Sequence, residues 1–156
     1  MTALSELHGD NRLYLDDIQV GQRFLSGTHV VDEAEIKAFA QKFDPQPFHL
    51  DNEAAKHTLF GGLAASGWHT AAITMRLLVE GGLPLEGGII GAGGTLEWPH
   101  PVRPGDTLVV ESEVLEVRPS KSRPDRGTAT VRSVTRNQRG DVMQILTAKL
   151  IVPRRV

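Results

Sequence analysis

Between Asp32 and Phe43, apolar side chains recur at Ile36, Phe39, Ala40 and Phe43, the spacing that lines one face of a helix. Asp32 predicts the N-cap, and Glu35 three positions on completes a capping-box pattern. Gly67–Glu80 predicts a second helix with almost no polar face, because Trp68, Ala71, Ala72, Ile73, Met75, Leu77, Leu78 and Val79 wrap it all round. A helix of that kind is expected to be buried rather than to lie on a surface. Ser66 can cap its start and Gly81-Gly82 can end it. Its length is roughly 21 Å at the usual rise, too short to cross a membrane.

The second half changes period. Leu108, Val110, Ser112 and Val114 alternate with more polar neighbours around a strand at Val109–Glu113. Thr95–Trp98, Ala129–Asn137 and Val142–Val152 predict further strands, and Arg23–Val31 predicts one before the first helix. Arg118–Gly127 and Gln138–Asp141 read as connections. A buried helix followed by antiparallel strands implies an α+β arrangement, a four-strand sheet wrapped around a helix. Periodicity alone does not separate this from other α+β folds. An exposed sheet edge invites pairing with a second copy. The length fits one domain over residues 1–156, with residues 1–13 as a polar, flexible lead-in.

The chemistry concentrates between the two helices. Phe43-Asp44-Pro45-Gln46-Pro47-Phe48-His49 carries two prolines, which predict a stiff, extended loop. Asp51 can then cap a short helix over Asn52–Lys56, and Gly61-Gly62 makes a turn. On the loop, Asp44 and His49 stand five positions apart. A carboxylate and an imidazole facing one water can take a proton from it and return one to a neighbouring carbon. Spacing alone equally permits Asp44 to end a helix and His49 to pack in a turn. The Ser66-Gly67-Trp68 corner adds a helix N-terminus, whose backbone N–H groups stabilise developing negative charge. A glycine there lets a ligand approach closely, although it equally permits tight packing.

Composition narrows the alternatives. The chain has no cysteine, which excludes disulfides, thiolate metal sites and a cysteine nucleophile. A formal charge of −2 leaves no basic footprint for nucleic acid and no polybasic membrane patch. No signal-like run is visible at the start, and a cytoplasmic location is expected. His57, His69 and His100 lack metal-ligand spacing, and His69 reads as a satisfied core histidine. Trp68 and Trp98 read as core or interface residues. Gly87–Gly94 does not spell a dinucleotide-binding motif and reads as a turn into a strand close to the helix or a partner. Arg118, Lys121, Arg123 and Arg126 read as a solvated loop.

The two stretches Phe43-Asp44-Pro45-Gln46-Pro47-Phe48-His49-Leu50-Asp51 and Gly61-Gly62-Leu63-Ala64-Ala65-Ser66-Gly67 resemble the signature of the MaoC-like family, which includes the (R)-specific enoyl-CoA hydratases. The resemblance runs from about Tyr14 to Val152 and is sharp over residues 43–67. It implies the hot-dog fold, an antiparallel sheet wrapped around a long helix. It implies a hydro-lyase acting on an enoyl or 3-hydroxyacyl thioester, with Asp44 and His49 catalytic and the Gly67 N–H, beside Ser66, binding the thioester oxygen. It implies no metal and no cofactor other than the coenzyme A of the substrate, and a homodimer or higher homo-oligomer. Gln46 departs from a common Asn, Ser66 from a common His, and Met75 stands where some relatives are polar, which leaves the acyl group open. A hot-dog thioesterase and a non-catalytic acyl-binding module are the competing readings.

Overall fold

The computed structural model describes residues 12–155. Of the expected lead-in, residues 1–11 lie outside the described residues. Leu13 forms a parallel bridge with Leu85.

Five strands form one antiparallel sheet: β1 (Arg23–Val30), β2 (Ile90–Glu97), β3 (Thr107–Pro119), β4 (Arg126–Arg136) and β5 (Val142–Pro153). Their order is β1-β3-β4-β5-β2, so β1 and β2 are the edges. All five predicted strands form, and all five join one sheet where a four-strand sheet was expected; β2 and β3 are longer than their patterns suggested. β2 absorbs the glycines at 91–94, which no periodicity marks as strand. Gly94 is needed where it is: a Cβ there would fall on the Thr147 carbonyl of β5. The expected 118–127 connection is shortened at both ends to residues 120–125, because β3 and β4 pair as far as Pro119 and Gly127.

Alternation sets the core face. Leu108, Val110, Ser112 and Val114 of β3 are buried, as are Ala129, Val131, Ser133 and Thr135 of β4. Against that face packs α4 (Gly67–Leu77), burying His69, Thr70, Ile73, Thr74 and Leu77. Polar groups buried between helix and sheet find each other, which removes most of the penalty for desolvating them. Ser112 and Ser133 hydroxyls meet at 2.8 Å, and Thr74 and Thr135 at 2.6 Å. The wholly buried Gln144 donates to Thr74 and accepts from the Trp98 indole N–H at 2.9 Å.

Two local expectations are corrected. The helix expected over 67–80 is α-helical to Leu77, followed by a π turn over Leu78–Gly82. It is not buried all round: Trp68, Met75 and Val79 are exposed in the single chain, forming an apolar stripe along its outer side. The stretch 43–49 is not wholly extended either. Pro47–Leu50 forms one helical turn, α2, with Pro47 at its first position, where the missing N–H costs nothing. Before it, α1 (Glu33–Phe43) starts at the predicted capping box of Asp32 and Glu35. After it, α3 (Asn52–Ala55) starts at Asp51, whose carboxylate accepts from the Glu53 and Ala54 amides.

Candidate active site

Asp44 ends α1, and its amide donates to the Ala40 carbonyl at 2.8 Å. That bond closes the helix, and the Asp44 backbone itself already departs from helical geometry. The Ser66 hydroxyl donates to Oδ2 at 2.7 Å, and the Gln46 amide donates to Oδ1 at 2.5 Å. Burial raises the carboxyl pKa, but the Ser66 and Gln46 hydrogen bonds and the nearby His49 outweigh it. The net direction is below the usual carboxylate range, so Asp44 is ionised at neutral pH.

His49 lies inside the α2 turn and is 4% exposed, so its ring cannot relax into solvent. Nδ1 lies 2.6 Å from the Ala64 carbonyl oxygen. A carbonyl only accepts, so Nδ1 carries the proton and donates it. Nε2 is thereby left facing Asp44 Oδ2, 3.3 Å away. The neutral ring offers a lone pair there, and the imidazolium offers a proton, which is what a group exchanging protons with a bound water requires.

Asp44 and His49 both line one cleft of about 430 Å³. Gly67 lines it too, as the first residue of α4. The first N–H groups of a helix have no intrahelical acceptor, so the Gly67 amide is suited to a negatively charged oxygen. Trp68 and Trp98 form another part of the wall, their rings edge to face at 5.2 Å. The Trp98 ring fills the space where a Cβ on Gly67 would stand, at 2.6–2.9 Å. Ser66, expected beside the oxyanion, is fully buried with its hydroxyl turned to Asp44. Among the described residues, no group of three or more His, Cys, Asp or Glu side chains is placed to hold a metal ion.

Three features escaped sequence reasoning. Gln46 was noted only as a departure from the family pattern, yet it grips Asp44. The Ala64 carbonyl that orients His49 has no side-chain signal at all. Trp68 and Trp98, read as core or interface, line the cleft, and their large exposed areas (61% and 41%) are visible only in three dimensions. The remaining histidines stand apart from the pair. His100 donates from Nδ1 to the Val142 carbonyl at the cleft's edge. His69 is buried as expected but not satisfied. Among the described residues its Nδ1 has no hydrogen-bond partner, and its Nε2 is 3.7 Å from Glu35.

His69 has a consequence for stability. Burial is the main cause holding its pKa below 6.5, with His29 and His49 adding to the effect and Glu35 opposing it. The unfolded chain therefore binds a proton that the folded chain refuses. Stability contributed by this residue is complete above about pH 6.5 and falls as the pH drops toward the folded pKa. Urea unfolding at about pH 7.5 and 5.5 is expected to show a smaller pH-dependent loss in His69→Phe than in the wild type. An equal loss in both would remove His69 as a contributor.

Sequence and structure comparisons bear on the whole arrangement. The pattern of the MaoC like domain matches residues 17–137. The chain belongs to the MaoC-like family. The crystal structure of the MaoC-like dehydratase from Rhodospirillum rubrum is 67% identical, with a TM-score of 0.91 over 92% of this chain and 99% of that one. The 3-hydroxybutyryl-CoA dehydratase of Methylorubrum extorquens is 35% identical over 117 residues, 71% of this chain and 69% of that protein. The unliganded R-hydratase PhaJ1 from Pseudomonas aeruginosa is 30% identical, with a TM-score of 0.72 over 92% of this chain and 88% of that one. The sheet around α4 is thus the hot-dog fold of MaoC-like dehydratases and hydratases. No helix among the described residues is long and apolar enough to cross a membrane.

Proposed function

We propose that this MaoC-like chain reversibly hydrates an enoyl-CoA to a 3-hydroxyacyl-CoA, using Asp44 and His49 on one water. The observation that carries the reading is the 3.3 Å approach of His49 Nε2 to Asp44 Oδ2 inside a cleft shared with Gly67. A hydroxide equivalent adds to the β-carbon of the enoyl group. Electron density moves through the double bond to the thioester oxygen, where the Gly67 amide donates a hydrogen bond. The proton lost by water passes to the Asp44/His49 pair and returns to the α-carbon. Dehydration is the same sequence reversed. The choice of coenzyme A as carrier is supported by the related 3-hydroxybutyryl-CoA dehydratase. Every step uses groups of the chain and substrate alone.

The test is hydration of crotonyl-CoA, followed by loss of the conjugated thioester absorbance, with free thiol measured in parallel. Hydration without thiol release supports the reading. Thiol release from a saturated acyl-CoA would overturn it in favour of a thioesterase, and binding without turnover across enoyl-CoAs in favour of a binding module.

The working unit is proposed to be a homodimer. Among the described residues β2 is an edge with its outer side unpaired, and it carries no Lys or Arg and no proline, the kind of edge that pairs. It adjoins the exposed apolar stripe of Trp68, Met75 and Val79, with Ile90 and Trp98 exposed nearby. Light scattering is expected to give about twice the 17.0 kDa chain mass, and Ile90→Lys to shift it toward one. A monomeric wild type would sink this part of the reading.

A further inference from the structure

The strand of chain that orients His49 has an anchor of its own. Arg103, half-buried in the turn before β3, points its guanidinium at the backbone of residues 60–63. Nη1 donates to the Gly62 carbonyl at 2.9 Å and to the Leu63 carbonyl at 3.2 Å, and Nη2 donates to the Phe60 carbonyl. The base of Arg103 is held in turn, because its amide donates to the Asp106 carboxylate at 2.8 Å, and Asp106 is buried. One residue beyond the anchored carbonyls comes Ala64. Its amide donates to the Phe48 carbonyl of α2 at 3.0 Å, and the next amide, of Ala65, donates to the Val102 carbonyl at 2.9 Å. The Ala64 peptide is therefore stretched between the helix that bears His49 and the segment that bears Arg103. Its carbonyl shares a planar peptide with the Ala65 amide, so the bond from that amide to Val102 aims the carbonyl the opposite way, toward His49 Nδ1 at 2.6 Å.

An arginine that spends its donors on three main-chain carbonyls, those of Phe60, Gly62 and Leu63, rather than on a carboxylate, is poorly explained as surface charge. Bonds from a charged donor are the stronger ones, and a planar fork meets several acceptors at once. Residues 60–63 contain two glycines, which leave the backbone conformationally permissive, and apart from Arg103 the segment is held by the Gly61 amide on the Thr58 carbonyl at 3.0 Å and the Phe60 amide on the Thr58 hydroxyl at 3.3 Å.

We propose that Arg103 is a positioning residue for His49: by clamping the 60–63 backbone it holds the Ala64 carbonyl where it locks the imidazole as the Nδ1–H form, with Nε2 toward Asp44. The catalytic half of this inference rests on the hydratase reading; the tautomer half does not. Small misplacements of a reacting group are costly in rate, so the effect falls on turnover rather than on substrate binding.

The experiment uses full-length protein labelled with 15N-histidine, as wild type, Arg103→Met and Arg103→Lys, with His49→Gln to assign the resonances. Imidazole nitrogen shifts are read across about pH 6 to 8, together with crotonyl-CoA hydration. The neutral form of wild-type His49 is expected to be the Nδ1–H tautomer. Arg103→Met is expected to show mixed tautomers, with kcat lower by about 10–100-fold and KM within about threefold. Arg103→Lys, whose ammonium cannot span all three carbonyls, is expected to fall between them. Wild-type His49 resonances in a folded Arg103→Met would overturn the proposal, as would an unchanged kcat. Should Arg103→Met fail to fold, Arg103→Lys decides by the same two readouts. An inactive wild type whose His49 tautomer still responds to Arg103 would sink the hydratase reading and keep the clamp. An active wild type with an unresponsive tautomer would do the reverse.

Discussion

Asp44→Asn is expected to lower kcat/KM for crotonyl-CoA hydration by about 10²–10⁴-fold, the range that a positioned acid or base contributes. The substitution keeps the shape of the side chain, and the amide oxygen can still accept the Ser66 hydroxyl that lies 2.7 Å from Oδ2. What it removes is the negative charge. That charge is well supported in the folded protein, since the Ser66 and Gln46 hydrogen bonds and His49 hold the Asp44 pKa low against its burial. The fold is therefore expected to survive while the chemistry is lost, which circular dichroism and a thermal melt would verify. His49→Ala removes the other half of the pair and is expected to fall in the same range. It also empties space beside Phe48 and Phe60, whose rings lie 4.6 Å and 6.0 Å from the imidazole, so some stability goes with it. Because the two groups would act as a unit on one water, the double variant is expected to be no worse than the worse single one. Multiplying losses would mean that they act on separate steps. Both single variants staying within about tenfold of wild type would remove the pair from the mechanism.

Gly67→Ala is expected to damage both stability and turnover. The new Cβ would stand 2.6–2.9 Å from three carbons of the Trp98 ring, and all three are side-chain atoms of a rigid indole. Trp98 cannot swing aside cheaply. Its Nε1–H is bonded to Gln144, which is fully buried and bonded on to Thr74. Either the first turn of α4 shifts or the Trp98–Gln144 bond breaks. Overpacking of this kind costs about 1–3 kcal/mol, measurable as a lower urea midpoint with an unchanged slope. In the hydratase reading, the same displacement moves the amide that holds the thioester oxygen. Loss of one such donor lowers kcat by about 10²–10³-fold. Paired with Trp98→Ala, which opens the space, Gly67→Ala is expected to regain part of its stability. A Gly67→Ala protein as stable and active as wild type would mean that the tip of α4 has slack that the packing does not show.

The two predictions draw on different sources of information. Asp44, His49 and Gly67 stood out in the chain as candidates because prolines, a helix cap and a glycine bracket them at short range and because that bracket resembles the family's signature; the structure lines one cleft with all three. The caps at Asp32, Asp51 and Ser66 were legible for the same reason: each is a local bargain between a side chain and the next few amides. The α2 turn was missed because two prolines predict extended backbone, whereas Pro47 at a first helical position starts a turn. The strand character of the 91–94 glycines was missed because glycine has no propensity for strands, and β5 supplies the pairing.

The outer face of α4 shows the same division. Its composition indicated burial, and the sheet covers only one side, so the apolar stripe at Trp68, Met75 and Val79 is a property of the fold. On its own, the chain determined the two main helices and the approximate place of each strand, which residues were candidates for exchanging protons, and that it has no cysteine for thiolate or disulfide chemistry, since these follow from residue type and near-neighbour spacing. Only the tertiary structure decided that Ser66 serves Asp44, that a backbone carbonyl orients His49, and that Trp98 closes over Gly67. These pairings join residues 15 to 31 positions apart, through backbone atoms or close contacts that no side-chain pattern encodes.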